Sequence, residues 1–247
     1  MPTISTLLAT ILDSGRYSDL TIKCGNKVFK VHRNIVCLQS KPLAAHVDGA
    51  FVEAITNEIN LPDDHPAIFG RIIKFFYTGD FDATPSADEI AEEEASRKSA
   101  KETVYEAIDG PLEILTICTC VFVMAEKYDI PALKKLAKTK FKAAVSTEWN
   151  TVALSISLRL IYDELPDSDR LLKDVAIQAA ASHIKELADR GEFAALCKEN
   201  GDIAFDVLKA YLTVSKDSAQ IVVRMMQHSI KEQEDIIAID VVVTFSN

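Results

Sequence analysis

The side chains able to do acid–base, nucleophilic or metal chemistry in this 247-residue chain are few and scattered. Histidines stand at 32, 46, 65, 183 and 228, and none, not even His183 next to Ser182 or His228 next to Ser229, lies in a serine-, cysteine- or glycine-rich turn of the kind that presents an activated nucleophile. The cysteines at 24, 37, 118, 120 and 197 include no Cys-x-x-Cys pair. Cys118 and Cys120 fall about 200° apart around a helix, so the two cannot share a metal ion without help from elsewhere. All five sit in apolar runs, where a free thiol behaves as a small hydrophobe, and they read as reduced core residues. With eight glycines in the chain there is no phosphate-cradling loop, and neither an acidic calcium loop nor a two-histidine zinc helix is present. These patterns predict no catalytic residue, no cofactor site and no metal site. The enzyme reading survives as an alternative resting on a constellation assembled in three dimensions.

Two other groupings point to recognition. Asp19 and Arg33 put opposite charges on either side of a short apolar hairpin. On residue type alone they are a buried ion pair pinning that hairpin to the next helix, since a buried charge needs a partner to exist there. Phe51-Val52-Glu53 offers an apolar anchor with a polar neighbour that could add a rim hydrogen bond to a partner. Its alternative is a Phe51 that closes the core beside a solvated Glu53.

The elements that must position these residues can be read from the spacing of apolar side chains. Ile4, Leu7, Leu8, Ile11 and Leu12 recur at helical spacing and Gly15 follows as a stop, predicting an amphipathic helix over 3–14. Leu20, Ile22 and Cys24 alternate with polar residues, and Gly25-Asn26 supplies the turn into Val28-Phe29-Lys30-Val31. Two short helices follow, the first carrying Ile35, Val36 and Leu38 and the second Leu43, Ala44, Val47 and Phe51. A strand at 58–61 comes next, then a helix opened by Pro66, capped by Asp64, and closed by Gly79. Its stripe is Ile68, Phe69, Ile72, Ile73, Phe76 and Tyr77.

Residues 83–110 carry few large apolar side chains and include Glu92-Glu93-Glu94, so they read as a solvated charged insert. Leu112 to Ala125 is apolar nearly all round, a central buried helix that falls short of the roughly 20 residues a membrane span needs. A helix with Leu136, Ala137 and Phe141 follows. Beyond Trp149 the pattern is helical: Ile156, Leu160 and Ile161; then one helix from an Asp167 cap through Leu171 and His183 to Leu187, stopped by Gly191. Phe193, Leu196 and Cys197 make a short one, and Phe205, Val207, Leu208, Tyr211 and Leu212 another. Ile221 to Ile230 is again helical, whereas 236–245 alternates Ile237, Ile239, Val241, Val243 and Phe245 as a strand that needs an edge to pair with.

Read in order, Ser18-Asp19-Leu20, Phe29-Lys30-Val31-His32-Arg33, Ile59-Asn60-Leu61 and Phe76-Tyr77-Thr78-Gly79 resemble the BTB/POZ interaction domain. The helices beyond are similar to the BACK-like extension of many such proteins, fungal ones among them. The resemblance implies an α+β fold, a small mixed sheet flanked by helices over 1–147, followed by an all-α extension with a terminal strand over 148–247. It also implies homodimerisation through Ile4, Leu7, Leu8, Ile11 and Leu12. It places Asp19 and Arg33 by the dimer groove, where some family members bind peptides, and Phe51 and Glu53 where cullin-binding adaptors carry an apolar-x-Glu triplet.

The function so implied is protein–protein interaction without a reaction, as adaptor for a cullin-type ubiquitin ligase. The alternative is a transcriptional co-regulator scaffold that binds peptides at the groove. A formal net charge of −10 argues against direct nucleic-acid binding, which needs clustered Lys and Arg. No charged-then-apolar leader opens the sequence, and the expectation is a cytoplasmic or nuclear protein without membrane contact.

Overall fold

The computed structural model describes residues 3–48, 55–87, 89, 90 and 113–213. Helix α1 (Ile4–Ser14) starts where the Thr3 hydroxyl accepts the Thr6 N–H and stops at Gly15, whose φ of 60° is the left-handed value glycine takes most readily. A two-residue turn at Gly25-Asn26 joins β1 (Leu20–Cys24) to β2 (Lys27–Val31), antiparallel and in register from Cys24↔Lys27 to Leu20↔Val31. The third strand, β3 (Glu58–Leu61), runs parallel to β1 with Ile22 beside Ile59, giving the order β2-β1-β3. Between β2 and β3 lie α2 (Arg33–Val36) and α3 (Lys41–Asp48). One face of the sheet is apolar and fully covered: Leu20, Ile22, Cys24, Val31, Ile59 and Leu61 are all buried.

The helix that covers it, α4 (Pro66–Thr78), buries every member of its predicted stripe and ends on Gly79 at φ 73°. Phe69 meets both Phe29 and Tyr128 edge-on, each at 5.6 Å between centroids, so sheet, α4 and the later helices share one aromatic seam. Its cap differs from expectation. The ring Nδ1 of His65 accepts the Ala67 N–H at 3.2 Å, whereas Asp64 turns inward and is 4% exposed. There it accepts from the Tyr128 hydroxyl at 2.5 Å and the Lys127 ammonium at 2.9 Å. The reason is competition: a carboxylate gains more from a charged donor and a phenol than from one backbone N–H.

The helix α5 (Ile114–Lys127) is buried along its length, with Leu115, Ile117, Cys118, Val121 and Phe122 fully enclosed. It packs against α6 (Pro131–Glu148) and α7 (Val152–Glu164). Burial pushes the thiols of Cys24 and Cys118 up to about 12, so neither is a nucleophile at neutral pH.

Beyond α7 the single long helix expected from Asp167 to Leu187 is two, α8 (Lys173–Ser182) and α9 (Ile184–Ala188). The break falls at His183, whose ring stacks on Trp149 at 3.8 Å and 3°. Asp167 is fully exposed and makes no cap; the Asp169 carboxylate takes the Leu171 N–H instead. Gly191 does not stop a helix but begins one, α10 (Gly191–Glu199). Residues 201–213 are helical. Ile203 and Val207 are buried there, but Phe205, Leu208 and Leu212 are exposed, as is Leu38, contrary to the stripes predicted for them. No helix among the described residues is long and apolar enough to cross a membrane. Phe51, Glu53, the body of the charged insert, the helix at 221–230 and the strand at 236–245 lie outside the described residues.

The candidate interaction surface

Helix α1 carries an exposed apolar edge, and its five apolar residues divide. Leu8, Ile11 and Leu12 are half-buried against the core, while Ile4 is 78% and Leu7 49% exposed. The helix lies along α4 and buries none of its residues completely. One edge therefore holds it in place and the other is presented outward.

A buried cluster fixes where α1 ends. The backbone N–H of His32 donates to the Tyr77 oxygen at 2.9 Å, and that hydroxyl lies 2.7 Å from the His32 Nδ1. The other ring nitrogen, Nε2, is 2.8 Å from the carbonyl of Arg16, two residues beyond α1. One arrangement satisfies all three contacts: the Tyr77 O–H donates to Nδ1 and Nε2–H donates to Arg16. His32 is 8% exposed, and burial raises the Tyr77 phenol above its ordinary range. His32 is thus a polar strut between α4 and the turn after α1. It sits at the start of α2 without capping it through its side chain.

Asp19 and Arg33 are brought together, but not as the predicted ion pair. The carboxylate of Asp19 accepts the backbone N–H of Arg33 at 2.8 Å and so satisfies a free donor at the start of α2. The guanidinium of Arg33 points elsewhere, to the Val47 carbonyl at 3.1 Å, Asp48 at 3.3 Å and Asn57 at 3.1 Å. It closes the C-terminal end of α3, where a cation complements the helix dipole, and ties it to the turn before β3. That turn needs a tie, because Asn57 has a φ of 54°. The Arg33–Asp48 pair is 34% and 68% exposed, a solvated contact of small energy. The geometry gives both residues structural partners.

Three further polar clusters were not foreseen: Asp64 with Tyr128 and Lys127, Arg71 with Glu89, and Lys134 between Glu126 and Asp169. Arg71 is 7% exposed and donates to both oxygens of Glu89, at 2.6 and 2.9 Å, and to the carbonyls of Ala67, Asp82 and Thr84. Each cluster joins residues far apart in the chain, and no spacing rule links such positions. Among the described residues, no group of three His, Cys, Asp or Glu is arranged to hold a metal ion.

A three-stranded sheet covered by α4 thus carries an amphipathic helix whose outer edge is turned to solvent. Residues 8–96 match the BTB/POZ domain model, and a helical region follows them. Kelch-like protein 30 of Mus musculus is 30% identical over 82 residues, 33% of this chain and 14% of the relative. The Homo sapiens protein of that name is 29% identical over the same length and shares. Kelch-like protein 40a of Danio rerio is 30% identical over 77 residues, 31% of this chain and 13% of the relative. The match thus spans about a seventh of each relative's length. The domain and these relatives support a protein-interaction role.

Proposed function

We propose that this protein is a dimerising adaptor: two copies associate through the outer edge of α1, and the paired domains recruit other polypeptides. The observation that carries the reading is the division of α1, with Leu8, Ile11 and Leu12 facing inward while Ile4 and Leu7 lie open. Closed twofold assemblies dominate among soluble oligomers, and self-association is the simplest way to cover such an edge. The drive is removal of apolar surface from water. Mass in solution tests it. Wild-type protein should behave as a dimer and Ile4→Asp/Leu7→Asp as a folded monomer, since neither position supports the core. A wild-type protein that stays monomeric at high concentration removes the proposal.

The partner this reading favours is a cullin subunit of a ubiquitin ligase, met at Phe51 and Glu53, with the domain over 1–147 and the helices of 148–247 widening the contact. Support comes from the BTB/POZ match and the Kelch-like relatives. Such a protein would work in the cytoplasm or nucleus and carry out no reaction itself. Pull-down with a cullin N-terminal domain, before and after Phe51→Ala/Glu53→Lys, is the direct measurement. Retention of wild type and loss of the variant is expected; equal retention sinks the assigned contact.

A further inference from the structure

Helix α6 is a basic element in an acidic chain. Residues 131–147 hold Lys134, Lys135, Lys138, Lys140 and Lys142 and no carboxylate, against a net charge of −10 for the whole. An exposed helix can answer its own lysines with acids three or four residues away, and this one has none to offer. The rest of the fold answers two of the five. Lys134 is bonded to Glu126 and Asp169, and Lys140 to Asp80 at 2.8 Å. Among the described residues no carboxylate pairs with Lys135, Lys138 or Lys142; Lys135 and Lys142 are exposed and Lys138 is half-buried. These three fall within about 60° of one another around the helix and span about 10 Å along it, so they form one strip. Like charges at such spacing repel, and a ligand that neutralises them relieves the repulsion. Beyond α7 the exposed lysines are scattered: Lys185, Lys198 and Lys209 stand singly on α9, α10 and the helix of 201–213.

The surroundings of the strip narrow what fits it. Asp129, just before α6, and Asp167, in the turn after α7, carry exposed carboxylates. A nucleic-acid duplex or an anionic bilayer spreads negative charge far beyond so narrow a strip and would meet those carboxylates, whereas one acidic polypeptide segment would not. Beside the strip a groove of about 570 Å³ runs between α6 and the turn into α8, with Lys138 on its wall and Pro166, Leu171 and Val175 as its apolar surface. Leu171 is 45% exposed. The carboxylates in the groove are already answered, Glu126 and Asp169 by Lys134 and Asp174 by Arg170 at 2.8 Å. Among the described residues this leaves Lys138 as the groove's cation open to a ligand.

We propose that Lys135, Lys138 and Lys142 dock an acidic helical segment of a partner protein, its carboxylates spaced at i, i+4 and i+7 against the strip and an adjacent aliphatic side chain resting on Leu171. Complementary charge of this kind sets which partner is accepted and in what register. The face belongs to a different helix from the α1 edge and lies apart in sequence from Phe51, so it adds a recruiting surface that does not depend on dimerisation.

Fluorescence anisotropy tests it with a labelled synthetic peptide of alanine, glutamate and leucine, glutamates at i, i+4 and i+7 and leucines one position after the first and last of them. At low salt the wild-type protein should bind this probe, and Lys135→Glu/Lys138→Glu/Lys142→Glu should bind it at least tenfold more weakly. A second peptide with lysine in place of each glutamate should reverse the order and bind that variant at least tenfold better than wild type. A misfolded variant could not produce this reversal. The control Lys185→Glu/Lys198→Glu/Lys209→Glu changes net charge equally and should bind the acidic probe within about twofold of wild type. Absence of wild-type binding, equal losses in the two variants, or no reversal with the lysine peptide overturns the proposal. So do phosphatidylserine vesicles retained by wild type and not by the strip variant, which would assign the strip to a membrane. Binding that appears only in Glu92→Gln/Glu93→Gln/Glu94→Gln would assign it to the chain's own charged insert and overturns the proposal equally.

Discussion

At the scale of single residues, the energetics rest on polar groups removed from water. Asp64 is nearly buried and holds the Tyr128 hydroxyl, Lys127 and, through its own carbonyl, the Cys24 thiol at 3.2 Å. Asp64→Ala should lower unfolding free energy by about 2–4 kcal/mol, since it removes the buried acceptor shared by the Tyr128 hydroxyl and Lys127. Tyr128→Phe should cost less, about 1–2 kcal/mol, because Lys127 still answers the carboxylate. Urea melts of the two variants give the comparison, and equal losses would refute the ranking. Glu89 gives a pH signature. Burial alone would raise its carboxyl, but the bonds from Arg71 and the Ser86 N–H outweigh burial and hold it at about 2, below the ordinary 4.5. A depressed acid stabilises the fold above its unfolded value and loses that contribution as pH falls from about 4.5 towards 2. Glu89→Gln should therefore flatten the fall in stability across that window, and an unchanged slope would show that the Arg71 pair does not govern it.

At the scale of elements, much of the domain was legible because short-range rules and burial agreed. Thr3 and Gly15 bracket α1, Gly25-Asn26 turns the hairpin, and the period of Ile68 to Tyr77 describes α4 and its buried face. What could not be read was settled by partners distant in sequence. The 3.6-residue pattern runs unbroken through His183, so nothing local announces the break that accompanies its stacking on Trp149. Asp19 and Arg33 lie together in space, but the partners of the guanidinium come from α3 and from Asn57, whose left-handed backbone no periodicity reveals. The exposed Phe205, Leu208 and Leu212 fail for a related reason: period identifies an apolar stripe, not whether a neighbour covers it. The anchoring of α1 follows from the same logic. Tyr77→Phe removes the acceptor of the His32 N–H and the donor to its ring, and should cost about 1–3 kcal/mol. It should also speed exchange of the α1 amides more than those of α5; uniform acceleration would mean that the strut serves global stability alone.

At the scale of the whole molecule, one junction ties the helical region to the α/β domain. Lys134 on α6 is 12% exposed and bonds to Glu126, at the end of α5, and to Asp169, in the turn after α7, with its ammonium 4.9 Å from the centre of the Phe122 ring. Burial acts to lower this ammonium, yet the bonds to Asp169 and Glu126 prevail and raise it above 10.5. A raised lysine stabilises the fold below its unfolded value and loses that contribution as pH climbs beyond about 10.5. Breaking the junction from one side strands the other charge: the Asp169 side chain is 8% exposed, so Lys134→Met should cost about 3–5 kcal/mol. Replacing both, Lys134→Met/Asp169→Leu, removes the stranded carboxylate and should recover most of that loss, because a volume-matched apolar pair escapes the desolvation that two buried ions bear. A cycle of chemical unfolding measurements on wild type, each single variant and the double variant decides it. Strong non-additivity assigns the junction an ion-pair role that apolar packing can replace. Additive losses would mean that Lys134 and Asp169 act independently, and that the helices from α7 onward are held to the domain by the core around Leu154, Leu158 and Ile161 alone.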